Sequence, residues 1–269
     1  MSLSKAQRRG AARKALRASP RAEARYVSDL VSVMRGINDY LESEIEPHIE
    51  SMGPDHRHDA STQATRHYAM HATDKVVAGI KFHVAIHVGE AFDRMAAEVS
   101  KRNLAGMKLI GITPKSIGAE DILKRARDAN ISLVENAGRS YAADVRAIFE
   151  DDANFGLDPS ELATKLWEKM KDRGDVSESR ARLIARDQTL KTNAALTQAR
   201  AQKAGFDRYT WSTSGDERVR PMHEELDGTV HTWDDPPITN KDEDRNHPGM
   251  DYQCRCVPVF ELSDEGEPE

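Results

Sequence analysis

No stretch of the 269 residues holds 18 consecutive apolar side chains, and the basic N-terminus is not followed by an apolar segment. A bilayer-spanning helix needs about 20 such residues, and a secretory signal needs an apolar stretch behind its basic start. The expectation is a chain that folds in the cytosol. Cysteine is nearly absent: Cys254 and Cys256 are the only two, separated by one residue. A disulfide between them would close a very small, strained ring, which leaves thiolate chemistry or plain burial. Aromatic residues amount to 6% and charged residues to 31%, so the expected core is thin, with much solvated surface, and extended helices suit it better than one dense globule. Also missing are a Gly-rich phosphate loop, a Gly-x-Ser-x-Gly elbow and a His-Glu-x-x-His helix. Without them no nucleophile or phosphate cradle can be named.

What the chain does have is charge asymmetry. Met1 to Arg25 holds Lys5, Arg8, Arg9, Arg13, Lys14, Arg17, Arg21 and Arg25 against Glu23 alone, a formal +7, so with a net charge of −6 the remaining residues carry −13. This segment reads as a basic arm running into a helix.

Apolar residues at steps of three and four mark the helices. Tyr26, Leu30, Val33, Met34, Ile37, Leu41 and Ile45 form one stripe, expected to close at Pro47, with a loop through Gly53-Pro54-Asp55. Val76, Ile80, Val84, Val88, Phe92, Met95 and Val99 form a second within about Ser61 to Leu104, one long helix with possible breaks at Gly79 or Gly89. Met107 to Thr113 reads as a connector or short strand, and Ala119 to Glu150 as two helical pieces. Asp158-Pro159-Ser160-Glu161 starts another helix, expected to stop at Gly174, and Val176 opens the next, which ends at Gly205. Beyond Gly205 the periodicity changes: Tyr209 to Thr213, Val230 to Trp233 and Cys256 to Leu262 are strand candidates separated by turn signals.

The fold class is therefore α+β, a mostly helical, elongated N-terminal body with a small β-containing C-terminal module. The division expected is a basic arm over 1–25, a helical body over 26–205, the module over 206–262 and an acidic disordered tail over 263–269.

Three features stand out in the module: Trp211-Ser-Thr-Ser-Gly-Asp216-Glu-Arg218-Val-Arg220-Pro-Met-His223, then Leu226-Asp227-Gly228, then His247-Pro248-Gly249-Met-Asp251-Tyr-Gln-Cys254-Arg255-Cys256. Together they resemble the Mu F-like family of phage minor head proteins, with its tryptophan, acidic-Arg-x-Arg segment, nearby His, Leu-Asp-Gly turn and closing Cys-Arg-Cys. The Ala181 to Thr189 helix with Asn193 looks like that family's lead-in. The resemblance covers roughly Val176 to Pro258 and makes Trp211, Asp216, Arg218, Arg220 and Gly228 its structural motif. It implies a tailed-phage head morphogenesis protein with portal protein, major capsid protein and packaged double-stranded DNA as partners. Such a protein sits in the capsid interior near the portal, as an oligomer imposed by portal or capsid, and acts in procapsid assembly and DNA packaging or ejection.

Read from the residues alone, His223, His247, Cys254 and Cys256 offer two imidazoles and two thiolates, a set that zinc accepts tetrahedrally. The alternative is a β-rich cap in which Asp216, Arg218 and Arg220 form buried ion pairs, His223 is a satisfied core residue and the thiols are merely buried. Asp216, Glu217, His223, Glu224, Glu225 and Asp227 also invite a metal-dependent nuclease or toxin-like enzyme carried in the virion, although nothing fixes a catalytic residue. Arg8, Arg9, Arg13, Lys14 and Arg17 suit nonspecific, salt-sensitive contact with DNA phosphates, or a solvated terminus; no aromatics interleave them to stack on bases. His48, His56, His58, His67 and His71 are scattered, and His83 and His87 share a helical face where a second ion could bind, against the plainer reading of solvated histidines.

Overall fold

The computed structural model describes residues 5–50, 60–113, 118–151 and 159–261. The acidic tail at 263–269, the Gly53-Pro54-Asp55 loop, His56 and His58, and the side chains of Arg8, Arg9 and His48 lie outside the described residues. Five long helices come first: α1 (Lys5–Ala15), α2 (Pro20–Glu50), α3 (Ala60–Leu109), α4 (Glu120–Glu150) and α5 (Pro159–Lys203). Then follow β1 (Arg208–Ser212), the one-turn α6 (Pro221–Glu225), β2 (Val230–Thr232) and β3 (Val257–Val259). The α+β class stands.

Local chemistry accounts for the helix ends. Ser19 caps α2, its hydroxyl accepting from the Ala22 N–H at 3.2 Å, and Pro20 follows where no N–H is needed. Gly205 closes α5 with φ +96°, a conformation that glycine adopts at little cost, while Phe206 N–H returns to Ala201 O at 3.0 Å.

Four expected breaks are absent. Pro47 lies inside α2, three residues before its end, where it sacrifices one hydrogen bond rather than the helix. α3 runs through Gly79 and Gly89, and the Met107 run is helix to Leu109 followed by a turn in which Ile112 N–H bonds to Met107 O. α4 is a single helix. α5 passes through Gly174, where a Cβ would sit 3.0 Å from the Asn38 amide nitrogen; Ser177 Oγ donates to the Gly174 carbonyl at 2.7 Å. The roughly 1 kcal/mol that glycine costs a helix interior is offset here by a close polar crossing with α2.

Contacts divide the chain into two compact units, neither of them one continuous stretch. One comprises Val27–Phe92 and Asp128–Ala185. Its core takes the expected stripe of α2 (Leu30, Met34, Ile37, Leu41, Ile45), Val76, Ile80, Val84 and Val88 of α3, and Val134, Tyr141, Val145 and Phe149 of α4, all buried. Gly138 lets α4 approach Ile37 and Ile80 within 3.3 Å of where its Cβ would be. On the surface, Arg35 grips Glu178 with two bonds of 2.7 and 2.9 Å. Exposed pairs of this kind contribute about 0–1 kcal/mol each.

The other unit comprises Met1–Tyr26, Asp93–Arg127 and Arg186–Glu269. Its sheet has the order β2-β1-β3 with both pairings antiparallel; Tyr209 faces His231 and Trp211 faces Pro258. All three strands fall where strand propensity placed them. The core joins Leu16, Met107, Ile112, Ala201, Phe206, Tyr209, Trp211, Trp233, Cys254, Cys256, Val257 and Phe260, residues from all three stretches. This grouping differs from a cut near Gly205, because the last turns of α5 and residues 5–26 supply apolar surface that the small sheet cannot supply for itself.

Candidate functional site

The site is built on β1. Tyr209 and Trp211 stand two residues apart on one face of the strand, about 7 Å along it, and each organises its own group of side chains. At the Trp211 end, α6 presents His223, whose ring meets the Trp211 indole edge-on at 5.5 Å. The segment after Pro248 brings Cys254 and Cys256 to the same point: each Sγ lies 3.6 Å from His223 Nδ1. All three are buried, with relative exposures of 3%, 3% and 6% for His223, Cys254 and Cys256. The far nitrogen of the imidazole, Nε2, lies 3.1 Å from Asp251 Oδ2. Asp251 is in turn gripped by Arg220, whose guanidinium also donates to the Tyr252 carbonyl.

These contacts set the electrostatics. Burial pulls the His223 pKa down, but its hydrogen bonds to Cys254 and Asp251 outweigh that and leave it raised. The hydrogen bond from Cys256 holds the Cys254 pKa well below the usual thiol value against the effect of burial. Cys256 is pushed the other way, first by that same bond and then by burial. Gly249 N–H donates to Cys254 Sγ at 3.4 Å, a further contact that favours negative charge on that sulfur.

Supporting residues hold the loop in place. Asp187 of α5, itself 5% exposed, accepts the Gln253 N–H at 2.7 Å, next to Cys254. Arg255, between the two cysteines, forms a fork on Asp216 with bonds of 2.6 and 2.7 Å, which keeps the Asp216 carboxyl below its ordinary pKa. Asp227 accepts from Thr213 N–H at 2.8 Å and Gly228 N–H donates to Trp211 O at 2.9 Å, so the Leu-Asp-Gly turn is tied back onto β1. Asp216 and Arg220 are thus paired as ions, though with Arg255 and Asp251, while Arg218 is exposed.

His247 is not part of this cluster. It sits at the Tyr209 end of β1, where its Nδ1 shares a hydrogen bond of 2.9 Å with the Tyr209 hydroxyl and its ring lies 5.0 Å from Trp233. The step along the strand is what separates it from the cysteines. Burial lowers its pKa. Among the described residues the group of three or more side chains able to share a metal ion is His223, Cys254 and Cys256. His83 and His87 lie ring to ring at 4.4 Å, and His67 and His71 are exposed.

Of the basic residues, Arg13 Nε donates to Ser212 Oγ at 3.2 Å and Arg17 to the Ser214 carbonyl at 2.9 Å, so both are engaged with the segment that leaves β1; Lys14 is exposed. Sequence reasoning passed over a buried polar knot behind the site. Asn103 donates to Thr197 Oγ1 at 2.7 Å and to Asn193 Oδ1 at 3.1 Å, and Asn193 donates to the Leu16 carbonyl at 2.8 Å. Arg200, 6% exposed, completes it through Asn103 Oδ1, the Ser100 carbonyl and Ser100 Oγ. Asn193, Thr197 and Arg200 recur at steps of four and three on α5, which the sequence displays; that they meet Asn103 of α3 it does not. Between this knot and the cysteines lies a cavity of about 140 Å³, lined among others by Leu16, Glu23, Asn193, Thr197, Cys254 and Cys256.

An uncharacterized protein of Haemophilus influenzae is 34% identical over 171 residues, which is 64% of this chain and 36% of that protein. The chain therefore spans little more than a third of that relative's length. No solved structure matches it. The family model described as Phage Mu protein F like protein matches residues 147–259, a range that takes in α5, the whole sheet and every side chain of the His223 cluster. Over those residues the chain is similar to the Phage Mu protein F like family.

Proposed function

We propose that this chain is a minor head protein of a tailed bacteriophage, with a structural role in head morphogenesis. The observation that supports it is the family match over 147–259, which coincides with the Trp211 to Cys256 constellation. In this reading the protein is incorporated during procapsid assembly and contacts the portal protein and the major capsid protein. It remains in the capsid interior near the portal and influences packaging or ejection of the DNA. Its assembly state is imposed by those partners. Quantitative mass spectrometry of purified procapsids and mature particles is the test. The chain should be present in both at a low, fixed ratio to the portal; absence from both overturns the reading.

DNA contact follows from the basic segment. Because Arg13 and Arg17 are engaged within the fold, Arg8, Arg9 and Lys14 are the residues to change. Neutralising three phosphate contacts flattens the slope of log affinity against log salt by about 2.7. The triple substitution to Gln should therefore weaken binding equally for all DNA sequences and flatten that slope, and an unaltered slope excludes the role. Plasmid cleavage that needs a divalent ion and is lost in His223→Ala would replace the structural role with an enzymatic one.

A further inference from the structure

We propose that His223 Nδ1, Cys254 Sγ and Cys256 Sγ bind one zinc ion, with water from the adjoining cavity completing the tetrahedron. The first support is metrical. Zinc bonds of about 2.3 Å to sulfur and about 2.0–2.1 Å to nitrogen, set at a tetrahedral angle, place S and N about 3.6 Å apart. Both sulfurs lie 3.6 Å from Nδ1, and the three ligand atoms fall within 4.8 Å of one another.

The second support is hydrogen-bond accounting. With Nε2–H given to Asp251, Nδ1 has one lone pair, and two equidistant sulfurs face it. One thiol alone can use that lone pair, and the other is left with a weak thiol–sulfur bond to its neighbour although it stands at the same distance from the nitrogen. A catalytic thiolate–imidazole pair would bring one sulfur closer than the other, and the equal distances do not favour it. A divalent cation takes both thiolates and the neutral imidazole as ligands, and the resulting unit is formally uncharged, as burial at 3–6% exposure requires.

The third support lies behind the ligands. The Asp251 carboxylate on the remote imidazole nitrogen is the usual means of orienting a metal-bound histidine and raising its basicity. Arg220 holds that carboxylate, and Asp187 holds the backbone beside Cys254. Gly249 N–H, bonded to Cys254 Sγ, stabilises a ligand thiolate in the same way. Three protein ligands and an adjoining cavity of about 140 Å³, with both cysteines in its lining, leave space for a water molecule in the fourth position.

The purified full chain, reduced and equilibrated with zinc, should carry one zinc per chain by elemental analysis. With cobalt(II) in place of zinc it should show the d–d spectrum of a tetrahedral site and thiolate-to-cobalt charge transfer. Cys254→Ser, Cys256→Ser and His223→Ala should each abolish stoichiometric loading. Because those variants could unfold the module, two others decide the matter on protein shown to be folded by circular dichroism. Asp251→Asn should weaken affinity about 10- to 100-fold, measured by competition with a chelator, and His247→Ala should leave loading and the cobalt spectrum unchanged. Failure of the wild-type chain to bind zinc stoichiometrically overturns the proposal. So does an octahedral cobalt spectrum without charge transfer, or loss of metal in folded His247→Ala.

Discussion

Gly106 offers a stringent test of how the first turns of the chain are held. It lies within α3, where an alanine would ordinarily stabilise the helix by about 0.5–1 kcal/mol. Here a Cβ would fall 2.9 Å from the Ala15 carbonyl carbon and closer still to its oxygen. Ordinary carbon–carbon contact is about 3.5–4.0 Å, so the end of α1 must retreat by the better part of an ångström. Leu16, fully buried in the module core, and the 2.8 Å bond from Asn193 to the Leu16 carbonyl move with it. Overpacking costs about 1–3 kcal/mol and a weakened hydrogen bond about 1 kcal/mol; less the propensity gain, Gly106→Ala should destabilise by about 1–3 kcal/mol. For a unit of this size that is a fall in Tm of roughly 2–10 °C. Gly10, in α1 with nothing within 4 Å of a Cβ, provides the control: Gly10→Ala should raise Tm slightly. Thermal unfolding followed by tryptophan fluorescence suits the purpose, since Trp211 and Trp233 both belong to the affected core. A Gly106→Ala protein that melts at or above the wild-type temperature would refute the close crossing of α1 and α3.

Other expectations follow from the same unit. Asn103→Ala strips Arg200 of a buried acceptor and Thr197 and Asn193 of a donor; a loss of about 2–4 kcal/mol in urea unfolding is expected, and a loss under 1 kcal/mol would show that the knot is not structural. His247, whose pKa burial depresses, takes up a proton less readily folded than unfolded. Stability should therefore fall as pH drops below the unfolded value of about 6.5. His247→Gln should lessen the change in urea midpoint between pH 7 and pH 5, with His231, also lowered by burial, accounting for part of the remainder; an identical change in both proteins contradicts this. Asp187→Ala frees the Gln253 N–H, which sits on a residue with φ 53°. Modification of Cys254 by a thiol reagent should then quicken at least several-fold over wild type in zinc-free protein, and equal rates would deny Asp187 its hold on the loop.

How far this molecule can be read from its sequence depends on the range of the interaction concerned. Helical stripes such as Leu30 to Ile45 and strands such as Tyr209 to Ser212 declare themselves, because period 3.6 and strand propensity are local properties. The continuity of α5 through Gly174 does not, since the compensation comes from Asn38, far away in sequence. The Cys-x-Cys pair and His223 are conspicuous by residue type, but spacing cannot show that His247 stops one step short along β1, beside Tyr209. Asp251 and Asp187 carry no motif of their own; their importance lies in what they touch. The same applies to Leu16, an ordinary apolar residue in a basic segment until the sheet is laid over it.

That the sheet-bearing unit is assembled from three separated stretches bears on its birth at the ribosome. The stretch up to Tyr26 is made before both of its partner stretches, Asp93–Arg127 and Arg186–Glu269, and at about 5–20 residues per second the wait for the second of these, which carries the sheet, is roughly ten to thirty seconds. Throughout it Leu16 has no sheet to cover it, and the basic residues around it are open to any polyanion nearby. Whatever meets the nascent chain in that interval competes with its own later segments, so translation speed and local nucleic-acid concentration govern the yield of correctly closed protein.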